Sequence, residues 1–409
     1  MRRPILQLAE RGLSVVGILA LGFLIPGIAS AAGVQPDPVD PVVEARFRAM
    51  PAQDDVVSAD DWYRPTMVVR GASRHGAARA AATSTVPTLT TPYAAALAGA
   101  QAWDTLALVV LRDGRVELEY YAPGITPSTR FDTQSMHRGL LTLAVLAAVE
   151  DGHLASLDAP VSRWIPEWRG EADPRAAITI RDLLLGQSGL ADPPFESRPD
   201  SPGMQLFIGT DLRGLVTAQQ AQAPRATRWR GNALDSQALG LALEAATGEP
   251  YARYLSRRLW KPVGATDALV QLDRDKGSTR TFCCLKSTAR DWARIGELVR
   301  RGGAVGGRQV LAAQSVAEVL TPSPLNRSSG MNWLLEPVAL VPRSLRGAPP
   351  PVLTAFAEPG VAYIGGRGGQ RVYVVPSQRA VVVRIGRIRN DFDDGRFLNP
   401  FIDAMRSLP

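Results

Sequence analysis

The sequence predicts an α/β domain: an antiparallel sheet flanked by helices, assembled from both ends of the chain and interrupted by an inserted helical region. Three observations predict it. Strand-like runs with turn signals between them cluster at residues 105–121 and again at 372–385. The stretch between, about 153–300, is dominated by helical signals. Residues 131–152, FDTQSMHRGLLTLAVLAAVEDG, open with polar residues and continue past Ser135 as an almost unbroken apolar helix that links the two regions. Strands from distant parts of the chain meeting in one sheet place a pocket where the sheet joins the helical region. The 409 residues are 45% hydrophobic, ample for such a core.

The chain begins differently from the way it continues. Arg2 and Arg3 precede an apolar run over 13–25, then Pro26 and Ala29-Ser30-Ala31. A basic start, an apolar middle and a small-residue cleavage site read as a signal peptide over residues 1–32. The alternative is an uncleaved anchor, because residues 13–32 approach the ~20 needed to span a bilayer. Either reading puts the body outside the cytoplasm, periplasmic or extracellular, with an inner-membrane anchor only if the segment is uncleaved. There is no cysteine near residue 30 for lipid attachment. Residues 33–88 are rich in Pro, Ala, Asp, Ser and Gly and lack periodicity, so they read as an extended arm or linker, with Trp62-Tyr63 as a docking pair.

Regular structure is expected from Thr91-Pro92, with a helix to about Ala102. Residues 105–111 and 116–121 then make a hairpin around Asp113-Gly114. The helix that follows opens at Ser135 and stops at Gly152, a residue suited to the left-handed end of a helix. Thr179 and Asp182 form a capping box over a short helix. Residues 191–228 are loop-rich and form the rim of the pocket. Asp235 caps a helix ending at Gly248, and residues 251–260 form another. Thr288 and Asp291 cap the next helix. Strands at 372–375 and 380–385, joined by Pro376-Ser377, lead to a closing helix over 401–408.

Charge and rare residues exclude several functions. The net charge is +7, but the arginines are scattered among acids, so a nucleic-acid partner is not expected. Cys283 and Cys284 are the only cysteines. Adjacent cysteines bridge only with difficulty, so they read as small packed hydrophobes rather than a disulfide framework. His75, His137 and His153 have no zinc-binding spacing, so no metal and no other cofactor is expected.

The chemistry begins at Ser135. A serine in the first turn of a buried helix lies where the helix dipole favours negative charge on its oxygen. Arg138, at i+3, shares its face. This stretch resembles the serine hydrolases of the β-lactamase and penicillin-binding-protein superfamily, particularly the branch of class C-like esterases and 6-aminohexanoate-dimer hydrolases. Several other passages are similar to that family: Leu157-Asp158-Ala159-Pro160-Val161, Gly186-Gln187-Ser188-Gly189-Leu190, Trp260-Lys261-Pro262-Val263-Gly264-Ala265, and the glycine-rich run from Tyr363 to Gln370. The resemblance spans roughly residues 92–408. It implies a β-lactamase-like serine hydrolase domain over 89–409, with the helical insertion at about 153–300.

The resemblance also implies where the machinery lies, and where this chain departs from it. The family's Ser-x-x-Lys reads Ser135-Met136-His137-Arg138 here. Arginine cannot take the serine proton, because a guanidinium stays protonated at physiological pH. Aligning on Leu239-Gly240 puts the family's tyrosine at Gly231, and no tyrosine occurs between Tyr121 and Tyr251. The oxyanion hole fares better: the backbone of Ser135 and of Gly366 or Arg367 would supply it. His137 is a substitute base by its pKa range, although at i+2 it leaves the shared face. Lys286 is a second substitute, near the rim. Two functions follow. One is weak or altered hydrolysis of a small-molecule ester or amide through acyl-Ser135. The other is an inactive pseudohydrolase that keeps the pocket for a peptide or cell-wall ligand.

Overall fold

The computed structural model describes residues 39–51, 56–57, 62–72, 92–338 and 353–408. The leader at 1–32 and much of the 33–88 segment lie outside the described residues. Among the described residues no helix is long and apolar enough to cross a membrane.

In chain order, the first element is α1 (Pro41–Ala49), followed by β1 (Thr66–Val69). Next come α2 (Ala94–Ala102) and the hairpin β2 (Thr105–Arg112) and β3 (Arg115–Tyr121). Both turn residues, Asp113 and Gly114, have positive φ, as a tight two-residue hairpin turn requires. β4 (Phe131–Asp132) leads into a 3₁₀ turn, Gln134–Met136, and then α3 (His137–Glu150). The helical region contains α4 (Ile180–Leu184), α5 (Pro202–Ile208), α6 (Leu212–Thr217), α7 (Ala233–Thr247) and α8 (Tyr251–Leu255). β5 (Ala268–Gln271), β6 (Lys286–Ser287) and α9 (Ala289–Arg300) follow. After a two-stranded ribbon, β7 (Ala304–Val305) with β8 (Arg308–Gln309), comes α10 (Ala313–Val319). β9 (Ala362–Gly366), β10 (Gln370–Val375), β11 (Ala380–Gly386) and α11 (Asp394–Arg406) close the chain.

The main sheet has five antiparallel strands in the order β3-β2-β11-β10-β9. The early hairpin pairs with β11, so distant parts of the chain do meet in one sheet. Alternation along these strands divides the core in two. Val109, Val372, Val374, Val381 and Val383 belong to the large core that contains α3 and α9. Leu108, Val110, Tyr363, Tyr373 and Val382 belong to a second core with α2 and α11. Every residue of β11 is buried, as expected of a central strand covered on both faces. α9 packs directly on β11, β10 and β2, so the helical insertion yields to the sheet layer before residue 300.

Three expectations are corrected. The 33–88 segment is an arm only in part, because α1 and β1 dock on the domain. Val43 is buried with Met204 and Ile208, and Tyr63 donates to the Leu272 carbonyl at 2.9 Å. The buried Arg46 donates to the carbonyls of Ile208 (2.8 Å) and Asp273 (2.9 Å). β1 pairs with β5 in a four-stranded sheet, β1-β5-β6-β4. A few isolated anchors carry this docking, so no periodic pattern announces it. Second, the closing helix starts at Asp394 rather than 401. It runs through Pro400, and Asp393 caps it by accepting from the Arg396 N–H. Third, Cys283 and Cys284 are bonded to each other as a disulfide, with Cys284 in the left-handed region at φ +70°.

Candidate active site

Ser135 is half-buried in the 3₁₀ turn that opens α3. The turn is held on each side. Gln134 has φ +54°, and its N–H donates to the Asp132 carboxylate at 3.0 Å. Thr133 Oγ1 donates to the Leu285 carbonyl at 3.1 Å. A non-glycine residue in this conformation costs about 1–3 kcal/mol and persists only where its surroundings fix it. α3 behind the turn is buried over most of its length, from His137 to Ala148. The serine therefore stands on a rigid support.

The edge strand β9 lies against this turn. A Cβ on Gly366 would come within 2.5 Å of the Thr133 carbonyl oxygen, and one on Gly139 within 2.1 Å of Ile364 Cγ2. Only glycine allows approaches this close. β9 therefore delivers its last residue, Gly366, against the turn that carries Ser135, and Arg367 follows with its side chain exposed.

The segment from Phe282 to Lys286 runs antiparallel along the other side of the nucleophile turn, and it settles the two substitute bases. His137 is fully buried. Its Nδ1 lies 2.6 Å from the Cys283 carbonyl and its Nε2 2.9 Å from the Tyr251 hydroxyl. A carbonyl only accepts, so Nδ1 carries the proton and Nε2 accepts from Tyr251. Burial pulls the imidazole down to about 4. His137 is thus a neutral structural pin with no free lone pair. Lys286 is a buried strand residue rather than a rim residue, and it sits opposite Asp132 in the β4–β6 pair.

Arg138 is half-buried one turn beyond Ser135, with Nε donating to the Phe282 carbonyl at 3.3 Å. Burial lowers its pKa while Asp235 and Asp192 oppose that fall. It remains a cation at physiological pH. Gly231 lies in the loop before α7. A Cβ there would meet only the Trp229 indole, at 3.4 and 3.8 Å, so that ring covers the position where the family's tyrosine would begin.

One group escaped the sequence reading. Asp235 was expected to cap α7, but Asn232 is the cap, accepting from the Asp235 N–H at 2.7 Å. The Asp235 carboxyl is thereby freed for another use. It is buried, Oδ1 accepts from Ser188 Oγ at 2.5 Å, and Oδ2 has no hydrogen-bond partner. Burial pushes it up to about 7, and the Arg138 charge works against that rise. α7 and α3 pack on one another, so this carboxyl belongs to the helix that faces Arg138. An acid three residues past an Asn cap was the available signal; reading the acid itself as the cap concealed it. Among the described residues no cluster of His, Cys, Asp and Glu could hold a metal.

A five-stranded antiparallel sheet flanked by helices, with Ser135 at the mouth of a buried helix and a glycine edge strand against its turn, defines the class of fold: β-lactamase-type. The sequence agrees. Residues 90–403 match the Beta-lactamase family, and the chain belongs to that family. Esterase EstB of Burkholderia gladioli is 36% identical over 155 residues, covering 34% of this chain and 38% of the esterase. The 6-aminohexanoate-dimer hydrolase of Paenarthrobacter ureafaciens is 27% identical over 233 residues, covering 53% and 57% of the two chains. The matches thus span less than two thirds of these relatives. A family VIII carboxylesterase structure superposes with a TM-score of 0.60 at 15% identity, covering 80% of this chain and 99% of that one. The last likeness speaks for the fold alone.

Proposed function

We propose that the protein is an exported serine hydrolase that cleaves a small-molecule ester or amide through an acyl-Ser135 intermediate, by a proton route unlike its family's. One observation carries this reading: the half-buried Ser135 on its fixed turn lies beside the glycine end of β9. The names of the esterase and dimer-hydrolase relatives support the substrate class. Export rests on the basic and apolar character of residues 1–32.

Asp235 is the base in this reading. A carboxyl held near 7 is matched to proton transfer at neutral pH, and its Oδ2 is unoccupied by any donor. The Ser135 O–H bond breaks, its proton passes to Asp235, and the oxygen bonds to the substrate carbonyl carbon. As that bond forms, the carbonyl π pair moves onto the carbonyl oxygen, where the backbone N–H groups of Ser135 and Arg367 receive the charge, while Arg138 stabilises the serine oxygen as it loses its proton. When the tetrahedral intermediate collapses, Asp235 returns the proton to the departing alcohol or amine. Water then repeats the sequence on the acyl-enzyme and regenerates Ser135.

A second reading, a pseudohydrolase binding peptide or cell-wall fragments, is favoured by the Trp229 ring over Gly231. Treating the full chain with a fluorophosphonate probe separates the two. An adduct on Ser135, absent from Ser135→Ala, is the expected result. A folded protein that takes no label would support the binding reading.

A further inference from the structure

The turn from β9 to β10 rests on two buried guanidinium groups. Arg371 is 1% exposed, and its Nη1 donates to the carbonyls of Gly366 at 2.9 Å and Gln370 at 3.0 Å. Arg384, on β11, is fully buried; its Nη1 donates to the carbonyl of Gly369 at 2.7 Å and, more weakly, to that of Gly368 at 3.4 Å. Four carbonyl oxygens of one short turn are therefore drawn toward the face of the sheet that packs on α11. The carbonyl and N–H of a trans peptide unit point in opposite directions. Pulling the Gly366 oxygen down therefore sends the Arg367 N–H the other way, toward the side where Gly366 meets Thr133 and Gln134 of the Ser135 turn.

The two arginines differ in charge balance. Arg371 is neutralised by Asp394, with Nε to Oδ1 at 2.6 Å and Nη2 to Oδ2 at 3.2 Å. Tyr373 also donates to Asp394, at 2.5 Å. Among the described residues Arg384 has no carboxylate at ion-pair distance. It lies over the Phe392 ring at 4.6 Å, and its Nε has no hydrogen-bond partner. A buried cation without an ion-pair partner is costly to keep, and here it sits directly beneath a glycine turn.

We propose that Arg384 and Arg371 are positioning residues for the oxyanion hole. Together they hold the turn's carbonyls down so that its amide N–H faces Ser135, and Arg384 adds positive potential below the place where negative charge develops. The inference rests on the acyl-Ser135 reading above. Donors fixed in advance and aimed at developing charge stabilise the transition state more than the bound substrate. The effect should therefore fall on kcat and leave KM almost unchanged.

The test is the rate of fluorophosphonate labelling, with kcat and KM for a p-nitrophenyl ester, in the full chain and in Arg384→Met and Arg384→Lys. Arg384→Met is expected to lower labelling and kcat by about tenfold to a hundredfold with KM within about twofold. Arg384→Lys retains the charge and is expected to recover part of the loss, and it also serves if the methionine variant does not fold. A wild-type chain that labels, with a folded Arg384 variant labelling at the same rate, overturns this inference alone. A rise in KM with unchanged kcat overturns it as well. A wild-type chain that takes no label overturns the acyl-Ser135 reading and this inference with it.

Discussion

In the proposed site, the two sides of the Ser135 turn are built differently. On the sheet side, the oxyanion edge is made of backbone: Gly366, its turn, and the glycine contact with Thr133. It keeps the family's glycine-rich pattern. On the helical side, the proposed proton handling is made of side chains, and the resemblance implies that Arg138 and Gly231 stand at the family's lysine and tyrosine positions. The difference teaches that a function built from main-chain amides is protected by the fold itself. A function built from side-chain pKa values can be lost, or rebuilt elsewhere, by single substitutions.

The strongest way to break this comparison is to restore the helical side. Arg138→Lys combined with Gly231→Tyr should raise ester hydrolysis by about a hundredfold or more, within the range of a positioned acid–base pair. A side chain can start at residue 231 with only the Trp229 ring to move. If steady-state kinetics show no gain, the sheet side has degenerated as well.

Removing Asp235 sharpens the contrast. Asp235→Asn should slow Ser135 labelling by about a hundredfold at neutral pH, and wild-type labelling should rise as pH passes about 7. Stability should move the opposite way. The folded carboxyl holds its proton to about 7 against an ordinary 3.8, so it destabilises the fold increasingly as pH rises between those values. The asparagine variant should therefore melt higher than wild type at about pH 8, and the gain should shrink toward about pH 4. Equal melting at both pH values would contradict the buried-acid account.

His137 provides the next test. His137→Ala leaves the Tyr251 hydroxyl and the Cys283 carbonyl unpaired and should cost about 2–3 kcal/mol in urea unfolding. Its pH signature is specific. The imidazole is held near 4 against an ordinary 6.5, so its contribution is full above 6.5 and is lost as pH falls toward 4, by roughly 3 kcal/mol in total. The smallest effect belongs to Arg367→Ala. Its exposed side chain is not part of the backbone donor, so kcat should change by less than about twofold. A large loss would mean that side chains matter on the sheet side too.

Much of this architecture was legible. Turn chemistry at Asp113-Gly114, the Thr179–Asp182 capping box and the valine runs of β10 and β11 are local signals, and the elements appear where those signals fall. The misreadings arose where tertiary contacts overrule local ones. The closing helix expected over 401–408 begins instead at Asp394, and α11 passes through Pro400 on the strength of its buried face, Phe397, Leu398 and Phe401. Arg46 and Tyr63 anchor a segment whose composition says linker. In the site, residue identity named Ser135 and Gly366, whose turn and strand lie against each other through Thr133. It could not show that His137 is locked between two partners, or that Asn232, not Asp235, caps α7. The first fact is a pair of distances between residues far apart in the chain; the second is local, and reading the acid itself as the cap concealed it.

The docking of β1 bears on how the protein can be cut. The family match begins at residue 90, after β1 and α1. A fragment trimmed to that match would leave β5 as an open strand edge, with a row of unpaired amides where Thr66 to Val69 had been bound. Such an edge invites pairing between molecules, so the shortened chain should clump and scatter light during refolding, while the chain beginning near residue 39 stays clear.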